Sequence, residues 1–414
     1  MIRKWIGALA LMGTLGFTAA SAQPAAAWLG VWGASPLAPN LVASPRTPIS
    51  AHYADQTIRQ VVRISAGGSA VRLRFSNEFG AAPLQIGSVH VALSAGPGGA
   101  IIPGSDHVVT FGGSPSAVAA PGAPLLSDPV PMSVPALSSL AVSLYLPAET
   151  GPCTCHQLAG QTGYVSGPGD FTGAAQFPTA STILFRAFLT GVEAQAAEPA
   201  GRTLVAFGDS LTDGAVSTPD GNHRWPDRLA ERLNAAGGGR PVGVVNEGIS
   251  GNQLLADGAG QSGLTRFDRD VLATPGVRWV ILLLGTNDLG IGYGPVTARR
   301  PASLHPPTVQ DLEAGYRQLI ARAHAHGLKI YGATVPPFEG AAYWSPQGDA
   351  LREAINAWIR RGGEFDAVID FDAVWRDPAH PAQIKPGFNA PDHLHGTDAG
   401  YAALGDAAPL GLFK

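Results

Sequence analysis

Cysteine is almost missing from this 414-residue chain, which has only Cys153 and Cys155. With the adjacent His156 they lack the spaced second ligand pair of zinc modules, so a metal site is not expected there. A bridge across one intervening residue would be strained, because joined cysteines keep a specific separation and torsion. The pair reads as structural, and no cysteine nucleophile is expected. Charge is sparse as well: 14% of residues are charged, the net charge is −4, and no block of lysine or arginine stands out. A nucleic-acid partner, which would need a basic stripe, therefore has no support. Beyond the N-terminus, no segment is apolar and charge-free over the roughly 20 residues that a spanning helix needs.

What is plentiful is glycine (53) and proline (35), favouring many turns and short strands. Apolar residues make up 45% of the chain, as in an ordinary globular protein, and its length allows two domains, each with its own core. The first residues read as an export signal. Arg3 and Lys4 give a positive start, Trp5 to Thr18 an apolar stretch, and Ala20-Ser21-Ala22 a small-residue cleavage site. That apolar stretch is too short for an anchor, so removal near Ala22 and a periplasmic or extracellular destination are expected, with no stable membrane anchor afterwards.

The remainder divides by its hydrophobic period. In the first part apolar residues alternate, as half-buried antiparallel strands require. Val71, Leu73 and Phe75 interleave with Arg72 and Arg74; Val89, Val91 and Leu93 form a second set, and Leu140, Val142, Leu144 and Leu146 a third. Turn-rich stretches such as 95–99 separate them, so 23–193 is expected to be an all-β, sandwich or jelly-roll-like domain. Residues 194–201, small and with a proline, read as a linker. From 202 to 414 the pattern changes to short continuous apolar runs, at 204–207, 242–245, 280–284, 329–334 and 368–369. Such runs fit parallel strands buried on both faces. Helices are expected between them at 225–235, 309–326 and 346–361, giving a three-layer α/β domain.

In an open α/β sheet, sites form at the carboxyl ends of the strands, and four segments fall there. Gly208-Asp209-Ser210-Leu211-Thr212-Asp213-Gly214 follows the first run; a serine on such a turn would be exposed as a nucleophile, although Asp-Ser in this setting is also a common turn or helix cap. Asn246-Glu247-Gly248-Ile249-Ser250-Gly251-Asn252 follows the second run, where a glycine would let a backbone N–H approach a substrate oxygen or would simply make a turn. Gly285-Thr286-Asn287-Asp288 follows the third; Asn287 could donate to an oxyanion or cap a turn. In Asp392-His393-Leu394-His395, a histidine three residues after an aspartate can hold the carboxylate on one ring nitrogen and face a serine with the other, or belong to a surface or metal pair.

In this order and context, the four segments resemble the signature blocks of the SGNH (GDSL-type) hydrolase superfamily. The resemblance implies a flavodoxin-like fold for the second domain, with Ser210 as nucleophile and Asp392 and His395 completing the triad. It assigns the oxyanion hole to the Ser210 N–H, Gly248 and Asn287, and the register selects His395 over His393, which becomes a neighbour or substrate contact. Further stretches, 60–65, 74–80 and Arg266-Phe267-Asp268-Arg269-Asp270, look like an exported two-domain branch described as arylesterases or acylhydrolases.

The expected function is thus a secreted serine esterase that needs no metal or organic cofactor, acting on small-molecule or glycan esters with short acyl or acetyl groups. A lysophospholipase or arylesterase-type acylhydrolase is one alternative. A carbohydrate-binding protein on a dead scaffold would predict a broken triad, yet its residues are present. A metal-dependent phosphoesterase or glycosidase would need carboxylates and histidines at several strand ends. His324 and His326, two apart on a helix, face different sides and read as surface residues. Trp225 is read as wall of an acyl pocket or as packing, and 289–307 as a substrate-facing loop or an ordinary insertion.

Overall fold

The computed structural model describes residues 27–39, 51–196, 201–237, 240–295, 305–361 and 363–414. The expected export signal lies outside them, as do residues 197–200 of the expected linker. Ala194 and Gln195 still belong to a strand, Leu189–Gln195, so the connection begins later than its composition suggested.

Alternation in the first part produces strands with one face inside. Leu73 and Phe75 are fully buried on Val71–Ser76, while Arg72 and Arg74 reach outward to Glu193 on the neighbouring strand. One sheet runs Trp28–Gly33, Leu189–Gln195, Val71–Ser76, Pro124–Leu126, all antiparallel. The other has six strands, with Gln56–Arg63 and Ser139–Leu146 at its centre. Ile58, Val62 and Leu144 of the second sheet meet Leu73, Phe75 and Val192 of the first in one core. Two facing antiparallel sheets around a shared core make a β-sandwich.

The second part is a five-stranded parallel sheet in the order Val242–Gly248, Arg202–Gly208, Val277–Leu283, Lys329–Ala333, Ala367–Ile369. Its strands are continuous apolar runs because successive residues enter different cores. Val205, Phe207, Val280 and Leu282 pack under Val309–Ala325 and Pro346–Arg360. Leu204, Ala206, Ile281 and Leu283 pack on the other face under Trp225–Ala236 and Asp398–Ala407. Helices on both faces and strand order 2-1-3-4-5 define the flavodoxin-like, three-layer arrangement. Its topological switch point lies beside the first strand, where a crevice opens at the carboxyl ends.

The sandwich docks along the outer edge of the strand Val242–Gly248. Ser65 Oγ accepts the N–H of Val244 at 2.7 Å, and the Ser65 carbonyl accepts Asn234 Nδ2 at 2.8 Å. The Gly30 N–H donates to the Pro275 carbonyl at 3.0 Å. Among the described residues no helix is long and apolar enough to cross a membrane.

Candidate active site

The first strand of the parallel sheet ends at Gly208, and the chain turns at once into the short helix Ser210–Asp213. Asp209 caps that helix, its Oδ1 accepting the Leu211 N–H at 3.0 Å, and Gly214 ends it in the left-handed region. Ser210 therefore stands at the switch point, on the first residue of a capped turn. Burial pushes the Asp209 carboxyl up to about 7, the charge of buried Asp288 adding to the effect and the Leu211 N–H opposing it. Asp288 is itself raised to about 6 by burial, against the N–H groups of Leu254 and Leu255 that its carboxylate accepts.

The other end of the site is a tight turn near the C-terminus. Asp392 Oδ1 accepts the backbone N–H groups of Leu394 and His395, at 3.2 and 3.0 Å. Its Oδ2 lies 2.6 Å from His395 Nδ1, and His395 Nε2 lies 2.8 Å from Ser210 Oγ. A carboxylate only accepts, so Nδ1 carries the ring proton and Nε2 is left to accept the serine hydroxyl. Burial acts against the charge on Asp392, but the His395 side chain and the two N–H groups hold its carboxyl well below the usual range. His393 takes no part in this line. It has a φ of 57°, packs on Gly340, and its Nδ1 accepts Asn389 Nδ2 at 3.0 Å.

On the donor side, the structure departs from the expectation for Gly248. Its N–H donates to Asn246 Oδ1 at 2.9 Å, so it is not free to meet an oxyanion. A Cβ there would lie 2.2 Å from the Asp213 backbone nitrogen, so this glycine is present to let the strand end press on the serine helix. The free N–H belongs to Gly251, which has a φ of 81° and is bonded to no acceptor among the described residues. Its neighbours fix it on both sides. Ser250 gives its N–H and Oγ to Asp213 Oδ2, at 3.1 and 2.8 Å, and the Asn252 carbonyl accepts Asn287 Nδ2 at 3.0 Å. Asn287 keeps its second amide hydrogen, while its Oδ1 accepts the Tyr343 hydroxyl at 3.3 Å. The sequence held one signal for Gly251: it stands with Asn252 in the same segment, beyond the strand, where a backbone can turn.

Two further residues stand in stretches named from the sequence, where no role was assigned to them. Arg266 is wholly buried and binds two of these segments at once, through Gly208 in the first and Glu247 and Asn252 in the second; Asp213 ties the serine helix to Ser250. Conversely, Trp225 does not wall a pocket: it is fully buried and packs edge-on against Phe371, with ring centroids 5.5 Å apart. His324 pairs with Asp366 and His326 with the Arg322 carbonyl, both at the surface. The 289–307 stretch begins as the end of a helix, Thr286–Tyr293, and residues 296–304 lie outside the described ones. Beyond Asn287, Ile291 and Pro307 help line a cavity of about 430 Å³ with Gln253, Leu255 and Asp288. Cys153 and Cys155 are joined as a disulfide with Cα atoms 5.4 Å apart, a separation that bridged cysteines ordinarily have.

The fold and the sequence together make the chain a carboxylic ester hydrolase. Residues 206–403 match the model of the GDSL-like Lipase/Acylhydrolase family. Among solved structures the chain is similar to an acetylxylan esterase from Geobacillus stearothermophilus, at 24% identity and a TM-score of 0.38, over 50% of this chain and 92% of that one. It is similar also to a lipase/acylhydrolase from Enterococcus faecalis, at 21% identity and a TM-score of 0.38, with the same coverage of 50% and 92%. A GDSL-like lipase from Bacteroides thetaiotaomicron VPI-5482 shows 17% identity and a TM-score of 0.35, over 50% and 85%. No curated protein matches the chain.

Proposed function

We propose that this protein is an exported serine esterase that removes short acyl groups, acetyl foremost, from hydroxylated compounds such as carbohydrates. The observation that carries the reading is the unbroken line from Asp392 through His395 to Ser210, with bonds of 2.6 and 2.8 Å. His395 takes the hydroxyl proton as Ser210 Oγ attacks the ester carbonyl, and Asp392 holds the ring tautomer and offsets the positive charge that develops. The negative charge on the tetrahedral intermediate meets the N–H groups of Ser210 and Gly251 and the Asn287 amide. The imidazolium then protonates the departing alkoxide. Water, activated by the same histidine, releases the acid and frees the serine.

Export is supported by the charged, apolar and small-residue order of residues 1–22 and by the Cys153–Cys155 disulfide, which persists in oxidising compartments.

The test is hydrolysis of p-nitrophenyl esters from acetate to palmitate by the wild-type chain and by Ser210→Ala. Turnover greatest on acetate and abolished by the substitution is the expected result. Preference for palmitate would overturn the short-chain assignment, and equal activity in Ser210→Ala would overturn the nucleophile. N-terminal sequencing of the protein recovered outside the cytoplasm should begin at Gln23.

A further inference from the structure

We propose that His156, supplied by the β-sandwich, is a positioning residue of the esterase site, acting through Asp213 to hold the loop that carries Gly251. The inference rests on the esterase reading above.

His156 is buried at the junction of the two domains, 6% exposed, and both of its ring nitrogens are engaged. Nδ1 lies 3.0 Å from the Ser35 carbonyl oxygen, which can only accept, so Nδ1 bears a proton. Nε2 lies 3.1 Å from Asp213 Oδ1. The same carboxylate uses its other oxygen to hold the Ser250 N–H and Oγ. A single side chain of the sandwich thus grips the last residue of the nucleophile's own helix, and that residue grips the neighbour of the free Gly251 N–H.

The histidine is itself prepared for this contact. Its two-residue strand, Cys155–His156, pairs with Arg186–Ala187. Cys155 exchanges backbone bonds with Leu37, and its sulfur is tied to Cys153. The partner Ser35 is fixed in turn, its Oγ donating to Glu247 Oε2 at 2.6 Å and accepting Arg266 Nη1 at 3.1 Å. Adhesion between the domains does not require this pair. A buried polar pair adds little net stability over apolar residues of equal volume, so its contribution here is to geometry. What it fixes here is Asp213, and with it the donor side of the site.

The experiment compares His156→Ala, His156→Gln and Asp213→Asn in the full chain, using p-nitrophenyl acetate. Live sites are counted by end-point titration with a fluorophosphonate, and folding is checked by circular dichroism. In His156→Ala, kcat per titrated site should fall about 10²-fold with KM changed no more than about twofold, the pattern of lost transition-state stabilisation. His156→Gln can still donate towards Asp213 and should recover roughly a tenth or more of wild-type turnover. His156→Ala combined with Asp213→Asn should be little worse than either alone, because the two act as one unit. A wild-type kcat per titrated site in His156→Ala would overturn the inference, as would a loss matched by the loss of titratable sites. If the wild-type chain itself hydrolyses no ester, or Ser210→Ala hydrolyses as well as it does, the esterase reading has failed and the inference falls with it.

Discussion

Arg266 donates through Nη2 to the carbonyl oxygen of Gly208 at 2.8 Å, two residues ahead of the serine. The same guanidinium reaches the Glu247 carbonyl at 2.7 Å and Asn252 Oδ1 at 3.0 Å, and pairs with Asp270 at 2.9 Å. It therefore joins the end of the serine strand, the end of its neighbour and the loop beyond, in a place without solvent. Arg266→Met should lower the unfolding free energy by about 3–5 kcal/mol, because three carbonyl-type acceptors and a carboxylate would lose a buried donor. Urea denaturation checks this, and a loss below about 1 kcal/mol would show that the acceptors find other partners.

The two glycines of the second segment should fail in different ways. Gly248→Ala forces a Cβ against the Asp213 backbone, with 2.2 Å available, so the melting temperature should fall sharply. Gly251→Ala strains a residue at a φ of 81° and turns its N–H, so kcat should drop about 10²–10³-fold, as on losing one oxyanion donor. Thermal melts and steady-state kinetics on both variants separate the two. Unchanged turnover in folded Gly251→Ala would remove this residue from the oxyanion hole.

Asp209 predicts a dependence of stability on pH. Its folded value, about 7, lies above the unfolded value near 4, so the folded chain holds this proton more tightly. That contribution is complete below about pH 4 and is lost as pH rises through 7. Asp209→Asn keeps an acceptor for the Leu211 N–H and has nothing to ionise. Its melting temperature should gain on that of the wild type between about pH 4 and 7 and level off above that. A gap independent of pH would contradict the assignment.

Asp392 has the opposite sign. Its carboxyl is held low when folded, so its contribution to stability is present above the ordinary carboxylate range and is lost as pH falls below it. Asp392→Asn should thus be less stable than the wild type near neutrality, with the difference shrinking on acidification. Its kcat should fall by up to about 10⁴-fold, since an amide favours the wrong histidine tautomer. Full activity in this variant would mean that His395 is oriented by something else.

How much of this could be read in advance follows from where each residue finds its partners. The five parallel strands were legible as unbroken apolar runs because helices cover both faces, and the sandwich strands as alternating ones because their large apolar residues point into the shared core. Ser210, Asn287, Asp392 and His395 could be singled out because each lies next to a strand end or three residues from a neighbour of fitting type, and the structure brings Asp392, His395 and Ser210 within hydrogen-bonding distance. Gly248 misled for a tertiary reason: its N–H is taken by the side chain of Asn246, which the sequence does not announce. The roles of Arg266 and His156 stayed hidden because their partners are distant, Gly208 being 58 residues from Arg266 and Asp213 57 residues from His156. Nothing local marks such a residue apart from its type.

The docking of the sandwich on the strand Val242–Gly248 has a consequence for solubility. That strand is the outermost of its sheet, and Ser65 takes the N–H of Val244 that would otherwise point to water. An uncovered edge of this kind is a template for pairing with another chain, and it leads to aggregation. The N-terminal domain therefore acts as a permanent blunt end for its neighbour. An α/β domain cut free of it would gather into insoluble assemblies before any question of turnover arose.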